Sequence, residues 1–206
     1  MSNVSPYSAN MRGPGRPREY DLEEALDRAI RVFSERGFHA TSIGDLTEAM
    51  ELTQGSIYKA FKDKRAVFLA AFDRYVALRA ERLAEATRTA KTGLDRIRKL
   101  LTFYVESAHG PEGMQGCLIV GSAAELAVFD DEVARKVATA VDRNEVLIAE
   151  FIRQGQQDGS IPSWVDRTAT ARFILCLLQG MRVVGKTGRT RKDMAAVMEV
   201  AMRIVS

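Results

Sequence analysis

Residues 41–61 read TSIGDLTEAMELTQGSIYKAF, and this stretch decides the fold. Ser42 followed three residues on by Asp45 forms a capping box, in which side chain and backbone amide satisfy each other at a helix start. Ile43, Leu46 and Met50 then recur at helical spacing. Thr53 offers its hydroxyl as N-cap to a further short helix running to Phe61. The connection between them, about Glu51–Thr53, has the length of a helix-turn-helix turn. Upstream, Asp21 with Glu24 makes a second box, and Leu22, Leu26, Ala29, Ile30 and Phe33 share one helix face before Gly37. Three short helices and two tight turns give a compact module over residues 20–65.

The same spacing of three and four continues outward, and no run alternates as a strand would. A long helix from Asp63 to about Thr89 carries Val67, Phe68, Ala71, Phe72, Tyr75 and Val76 on its inner face. Leu94 to Ala108 marks another, ended by Gly110-Pro111-Glu112-Gly113. Cys117–Phe129 reads as a short apolar helix. Val133 to Ile152 mark a longer one that stops at Asp158–Pro162. Arg167–Gly185 is apolar nearly all round, and Met194, Val197, Met198, Ala201, Ile204 and Val205 stripe the last helix. The expected fold is all-α: a basic arm (1–19), the three-helix module (20–65), and a larger C-terminal helical domain (66–206) for ligand binding and dimerisation.

Of the 206 residues, 46% are hydrophobic and 28% charged, a balance that excludes disorder as a class. The N-terminus lacks an apolar signal core. The most apolar runs, Cys117–Phe129 and Phe173–Val184, are interrupted by Glu125 and by Gln179 and Arg182, so no membrane span is expected. Cys117 and Cys176 lie on separate helices with neither a disulfide framework nor metal-ligand spacing, and a cytoplasmic protein without metal or cofactor fits best. Net charge is only +3, but its placement is informative. Arg12, Arg16 and Arg18 precede any acid, and Lys59, Lys62, Lys64 and Arg65 are offset only by Asp63. Between them lie Glu23, Glu24, Asp27, Glu35, Asp45, Glu48 and Glu51, on helices that should face away from a phosphate backbone.

Double-stranded DNA is therefore the expected partner. The N-terminal residues of the third helix would point at base edges, with its unpaired amides favouring a phosphate. Gln54 offers a donor and an acceptor together to adenine, Lys59 donates to guanine, and Ser56 suits several edges. Thr53, Tyr58, Lys62 and Lys64 suit phosphates, which position without specifying sequence, and Ser42 joins this DNA-facing set. Ahead of the module, Gly15-Arg16-Pro17 with Arg18 is similar to an AT-hook core. Its slim, extended backbone lets guanidinium groups enter a narrow minor groove.

Thr41–Leu46 and Thr53–Phe61, followed by Lys62-Asp63-Lys64, resemble the DNA-binding domain of the tetracycline-repressor (TetR/AcrR) family. The resemblance implies an all-helical dimer, a third helix in the major groove, and a small-molecule effector in the larger domain that releases a palindromic operator. Two positions depart from the pattern. Glu51 stands where the family usually has glycine, and a non-glycine residue at positive φ costs on the order of 1 kcal/mol. Ala60 stands where an aromatic residue is frequent, which removes one expected backbone contact.

Residues 167–185 and 193–205 are the expected dimer interface, with Gly180 allowing close helix approach. Phe103, Tyr104, Met114, Cys117, Leu118, Phe129, Phe151 and Phe173 are candidates for an apolar effector pocket, each equally at home in plain core. Cys117 opens a helix after Gln115-Gly116, where the helix dipole can lower a thiol pKa. A repressor sensing electrophiles or oxidants through Cys117 is the alternative, and the Gly-Cys-Leu start is similar to that of some redox-sensing family members; an inert small residue fits the position too. Cys176, on an apolar face, should be inert, and His109 should serve as a helix cap. A Cys117–His109 thiol enzyme is disfavoured, because the pair straddles a Gly/Pro break with no orienting third group. The large apolar C-terminal domain argues against a purely architectural DNA binder.

Overall fold

Caps read from the sequence set the second and third helices where they were expected. The computed structural model describes residues 19–206, among which ten helices and no strand occur: α1 (Glu19–Arg36), α2 (Ile43–Met50), α3 (Gln54–Ala60), α4 (Lys64–Thr87), α5 (Gly93–Ser107), α6 (Gly110–Gln115), α7 (Leu118–Glu125), α8 (Asp131–Asp158), α9 (Arg167–Gly185) and α10 (Arg191–Met202). Ser42 caps α2 through the full reciprocal box with Asp45, and the Thr53 hydroxyl accepts the Ser56 amide at 3.1 Å. No described helix is long and apolar enough to cross a membrane.

Three expectations need correction. Helix α1 begins at Glu19, so Asp21 lies inside it rather than at its cap. The Gly110–Gly113 stretch does not merely end α5 but builds the separate helix α6, because a proline in the first turn gives up an amide that has no helical partner anyway. Helix α7 stops at Glu125, four residues short of Phe129.

Two apolar clusters fill the molecule. The first gathers Phe33, Leu46, Met50, Ile57, Val67, Phe68 and Phe72 from α1–α4, and continues into Leu118, Leu126, Val133 and Val137 of α7 and α8. Phe33 meets Phe68 edge-on at 5.2 Å between centroids. The expected division at residue 65 thus falls within the first turn of α4, and the apolar core runs across it. The second cluster joins α5, α8, α9 and α10 through Ile97, Leu101, Ile148, Ile152, Ile174 and Leu178. Met194, Ala201 and Val205 are buried in this cluster, so much of the α10 stripe expected at a dimer interface serves the protomer's own core.

Polar ties fasten the reading module to the larger domain. The Glu125 carboxylate accepts the amides of Phe38 (3.0 Å) and His39 (2.6 Å) just beyond α1. Lys186, capping α9, donates to the Ser34 and Glu35 carbonyls at the end of α1. Arg65 grips Asp130 (2.6 Å) and Glu132 (2.7 Å), which holds the Asp130 carboxyl well below the usual range while it caps α8. Arg74 ties α4 to Asp27 of α1 at 2.6 Å.

Close packing of α5 on α8 depends on a missing side chain. A Cβ added to Gly93 would stand 2.0 Å from the Gly155 nitrogen and 2.4 Å from the Phe151 carbonyl oxygen, both rigid backbone atoms. Gly93→Ala is therefore expected to destabilise the protein by about 3 kcal/mol. A urea unfolding midpoint equal to that of the unaltered chain would contradict the packing described here.

Candidate DNA-reading face and interior cavity

Helix α3 is held by one side chain. Ile57 is fully buried, whereas Gln54, Gly55, Ser56, Tyr58, Lys59 and Ala60 are all exposed. Such a helix gains little from its own short hydrogen-bond ladder; its stability comes from the cap at Thr53 and the Ile57 anchor. Tyr58 presents an aromatic ring to solvent at 48% exposure, an unusual investment for a surface helix. The Thr53 and Ser56 hydroxyls lie 2.9 Å apart and form one polar unit at the start of α3.

The turn before it has the geometry that its sequence foreshadows. Glu51 adopts φ 54°, ψ 37°, and is the sole non-glycine residue at positive φ among those described. Its neighbour Leu52 closes the turn by donating to the Thr47 carbonyl at 3.2 Å, a 6→1 bond of the Schellman type. The Glu51 carboxylate meets Arg28 at 2.6 Å, an exposed contact that offsets little of the backbone strain.

The other residues expected to face DNA divide. Lys59 and Lys62 are exposed. Ser42 is exposed at the surface, but its hydroxyl donates to Asp45 at 2.7 Å. Lys64 is committed within the module: its ammonium donates to the carbonyls of Phe38 (2.9 Å) and Thr41 (2.8 Å) and lies 4.2 Å from the Phe38 ring centre. Arg12, Arg16 and Arg18 lie outside the described residues.

A cavity of about 850 Å³ opens between α4, α5, α7 and α8, within the size range of small-molecule sites. Of the residues named as candidates for an effector pocket, Phe103, Tyr104, Cys117 and Phe151 line it. Met114 (57% exposed), Phe173 (45%) and Phe129 (81%) do not, because they point to solvent from α6, α9 and the α7–α8 loop. Leu118 also misses it, buried on the opposite face of α7 in the first apolar cluster. Val76, Ala80 and Leu83 of α4, Ile119 of α7, and Ala140, Val146 and Leu147 of α8 supply the remaining apolar wall.

Polar groups gather at Cys117, among them arginines that the periodicity did not single out. The Tyr75 hydroxyl donates to the Cys117 sulfur at 3.4 Å. Burial, and then the neighbouring Cys117, push the Tyr75 phenol above its usual range, and burial does the same to Tyr104, so both stay protonated. Arg79 lines the cavity, 4.4 Å from the Phe103 ring centre. Arg182 lies buried behind, donating to the Gly116 carbonyl. The one trace of Arg182 in the sequence was its interruption of an apolar run. His109 faces Glu106 at 3.1 Å and stands at the start of α6 without a side-chain capping bond; the thiol's partner is Tyr75. No group of metal-ligating side chains occurs among the described residues.

Residues 25–71 match the family described as bacterial regulatory proteins, tetR family, and residues 93–201 the tetracyclin repressor-like C-terminal domain. The chain is 26% identical to the HTH-type transcriptional repressor ComR of Escherichia coli K12 over 92% of its own length and 91% of that protein. It is 32% identical to the uncharacterised HTH-type transcriptional regulator YezE of Bacillus subtilis 168, covering 78% and 83% of the two chains. Among solved structures, a cysteine mutant of the TetR family transcriptional regulator CifR, complexed with 26-bp double-strand operator DNA, superposes with a TM-score of 0.82 at 30% identity, covering 93% of this chain and 100% of that one.

The strain at Glu51 yields a direct expectation. Glu51→Gly should raise the unfolding free energy by about 1 kcal/mol, since glycine adopts the left-handed conformation without steric cost. A lower melting temperature for this variant would show that the Arg28 contact outweighs the strain.

Proposed function

Because the chain belongs to the tetR family of bacterial regulatory proteins and is a helix-turn-helix transcriptional regulator, we propose that it is a repressor whose α3 reads a two-fold symmetric operator and lets go when a small molecule fills the cavity. The observation that carries this reading is the exposure of six of the seven α3 residues on a single buried anchor. Gln54, Ser56 and Lys59 read base edges. Thr53, Tyr58 and Lys62 hold phosphates, with Arg16 and Arg18 of the arm as a second grip. Lys64 is left out of this set, its ammonium being engaged by two carbonyls. The protein works where DNA is, in the cytoplasm.

A second copy of the chain supplies the second reading helix. Support comes from α9, where Phe173, Cys176, Gly180, Val183 and Val184 are exposed and mostly apolar, as is Val200 of α10. A Cβ at Gly180 would meet nothing within 4 Å in the protomer, which leaves room for a facing helix.

A second reading has its own observation. The half-buried Cys117 thiol stands at the cavity wall and accepts a hydrogen bond from Tyr75, so an electrophile or oxidant reaching the cavity would trigger release by modifying it.

Anisotropy titration on the DNA upstream of the chain's own gene tests the main reading. Gln54→Ala and Lys59→Ala should each weaken binding by about 1–3 kcal/mol and relax base preference at one position per half-site. Removing residues 1–18 should weaken binding and shallow its dependence on salt. Unchanged affinity in both α3 variants would sink the reading. For Cys117, alkylation by N-ethylmaleimide should lower operator affinity at least tenfold, with Cys117→Ser immune; an alkylated protein that still binds DNA normally disposes of the thiol reading.

A further inference from the structure

Two arginines have little negative charge around them: Arg79 on the cavity wall, and Arg182, buried against Gly116 next to the lining residue Cys117. The Arg79 side chain is 13% exposed, and its polar contacts are long: Glu112 at 3.3 Å and Ser107 at 3.4 Å. Arg182 is 2% exposed; one Nη donates to the Gly116 carbonyl, while its Nε and other Nη have no partner among the described residues. Arg79 stands 5.2 Å from the Tyr104 ring centre, and Arg182 holds the carbonyl of Gly116, the residue before Cys117. A buried cation with unsatisfied donors is unfavourable unless an anion answers it.

Apart from the Glu112 contact to Arg79, the acids nearby do not answer it. Asp142 and Glu150 line the cavity from α8, but Asp142 is exposed, and Glu150 is taken by Arg153 (2.6 Å) and Gln154 (2.8 Å). Arg96 and Arg143 on the same walls add positive charge rather than cancel it. Thr87, Thr139, Asn144 and Gln179 contribute neutral polar groups, and much of the remaining wall is apolar.

We propose that the cavity takes an amphipathic carboxylate, with its head at Arg79 and its apolar body along Val76, Leu83, Ile119, Val146 and Leu147. This rests on the reading of the cavity as the effector site. A guanidinium facing a carboxylate gives the strong, charge-assisted pairing that a neutral or cationic head cannot. The apolar walls discriminate poorly among bodies of similar size, so selectivity resides in the head group.

Isothermal titration of the full-length chain, kept reduced, with decanoate, decanol and decylamine compares three head groups on one body. Decanoate should bind roughly tenfold more tightly than either of the others. In Arg79→Met that preference should shrink to within about twofold, and in Arg79→Lys part of it should return. Equal affinities, a preference for decylamine, no binding of decanoate, or a preference that survives Arg79→Met would each overturn the proposal. The head-group ratio on the unaltered chain is decisive even if the methionine variant fails to fold. Operator release is scored separately: decanoate that binds through Arg79 yet leaves DNA bound upholds the anion site and sinks the effector reading. A neutral ligand that binds as well as decanoate and releases DNA does the reverse.

Discussion

The carboxylate of Glu125, accepting the amides of Phe38 and His39, fixes the reading module relative to the rest of the molecule. These amides follow the left-handed Gly37 that ends α1, where the backbone has left the helix and needs an outside acceptor. A side chain from α7 meets that need across more than eighty residues of chain. The approach is tight, since a Cβ at Gly37 would stand 2.4 Å from the Glu125 carboxylate. Lys186 reaches the last carbonyls of α1 from the other side. The orientation of α2 and α3 is therefore inherited from α7 and α9 as well as from α1.

This arrangement gives the cavity a mechanical route to the three-helix module. Helix α7 follows Cys117 at the cavity wall and ends in Glu125 at the module. It is eight residues long, too short to bend appreciably, so a ligand that displaces its first turn must carry the carboxylate along or break its two hydrogen bonds. Helix α4 offers a parallel route: Val67 and Phe68 belong to the apolar cluster under α3, while Val76 and Leu83 belong to the cavity. The continuous core across residue 65 means that neither domain can shift without repacking side chains at native density.

Local chemistry was legible in the sequence to the extent that it is local. Ser42 with Asp45, Thr53, and the departure at Glu51 each have their cause within a few residues, and each is found where the sequence put it. Long-range partnerships were not legible. Lys64 looked like one of a basic cluster, yet two carbonyls over twenty residues away claim it. The apolar stripe of α10 had no label distinguishing a partner's surface from the chain's own core, and much of it went to the core. Phe103, Tyr104, Cys117 and Phe151 converge on the cavity, whereas Met114, Leu118 and Phe173, equally apolar, do not, because periodicity gives a face but not what lies opposite. Arg79 and Arg182 escaped notice for the converse reason: an arginine in a helical repeat ordinarily marks the wet side.

The single anchor under α3 has an evolutionary consequence. With stability resting on Ile57 and the Thr53 cap, substitutions at the six exposed positions are nearly neutral for folding. Such a surface can drift or be redesigned one position at a time, without compensating changes elsewhere. After gene duplication, two copies could come to recognise different DNA sites while retaining the same scaffold and the same internal chamber.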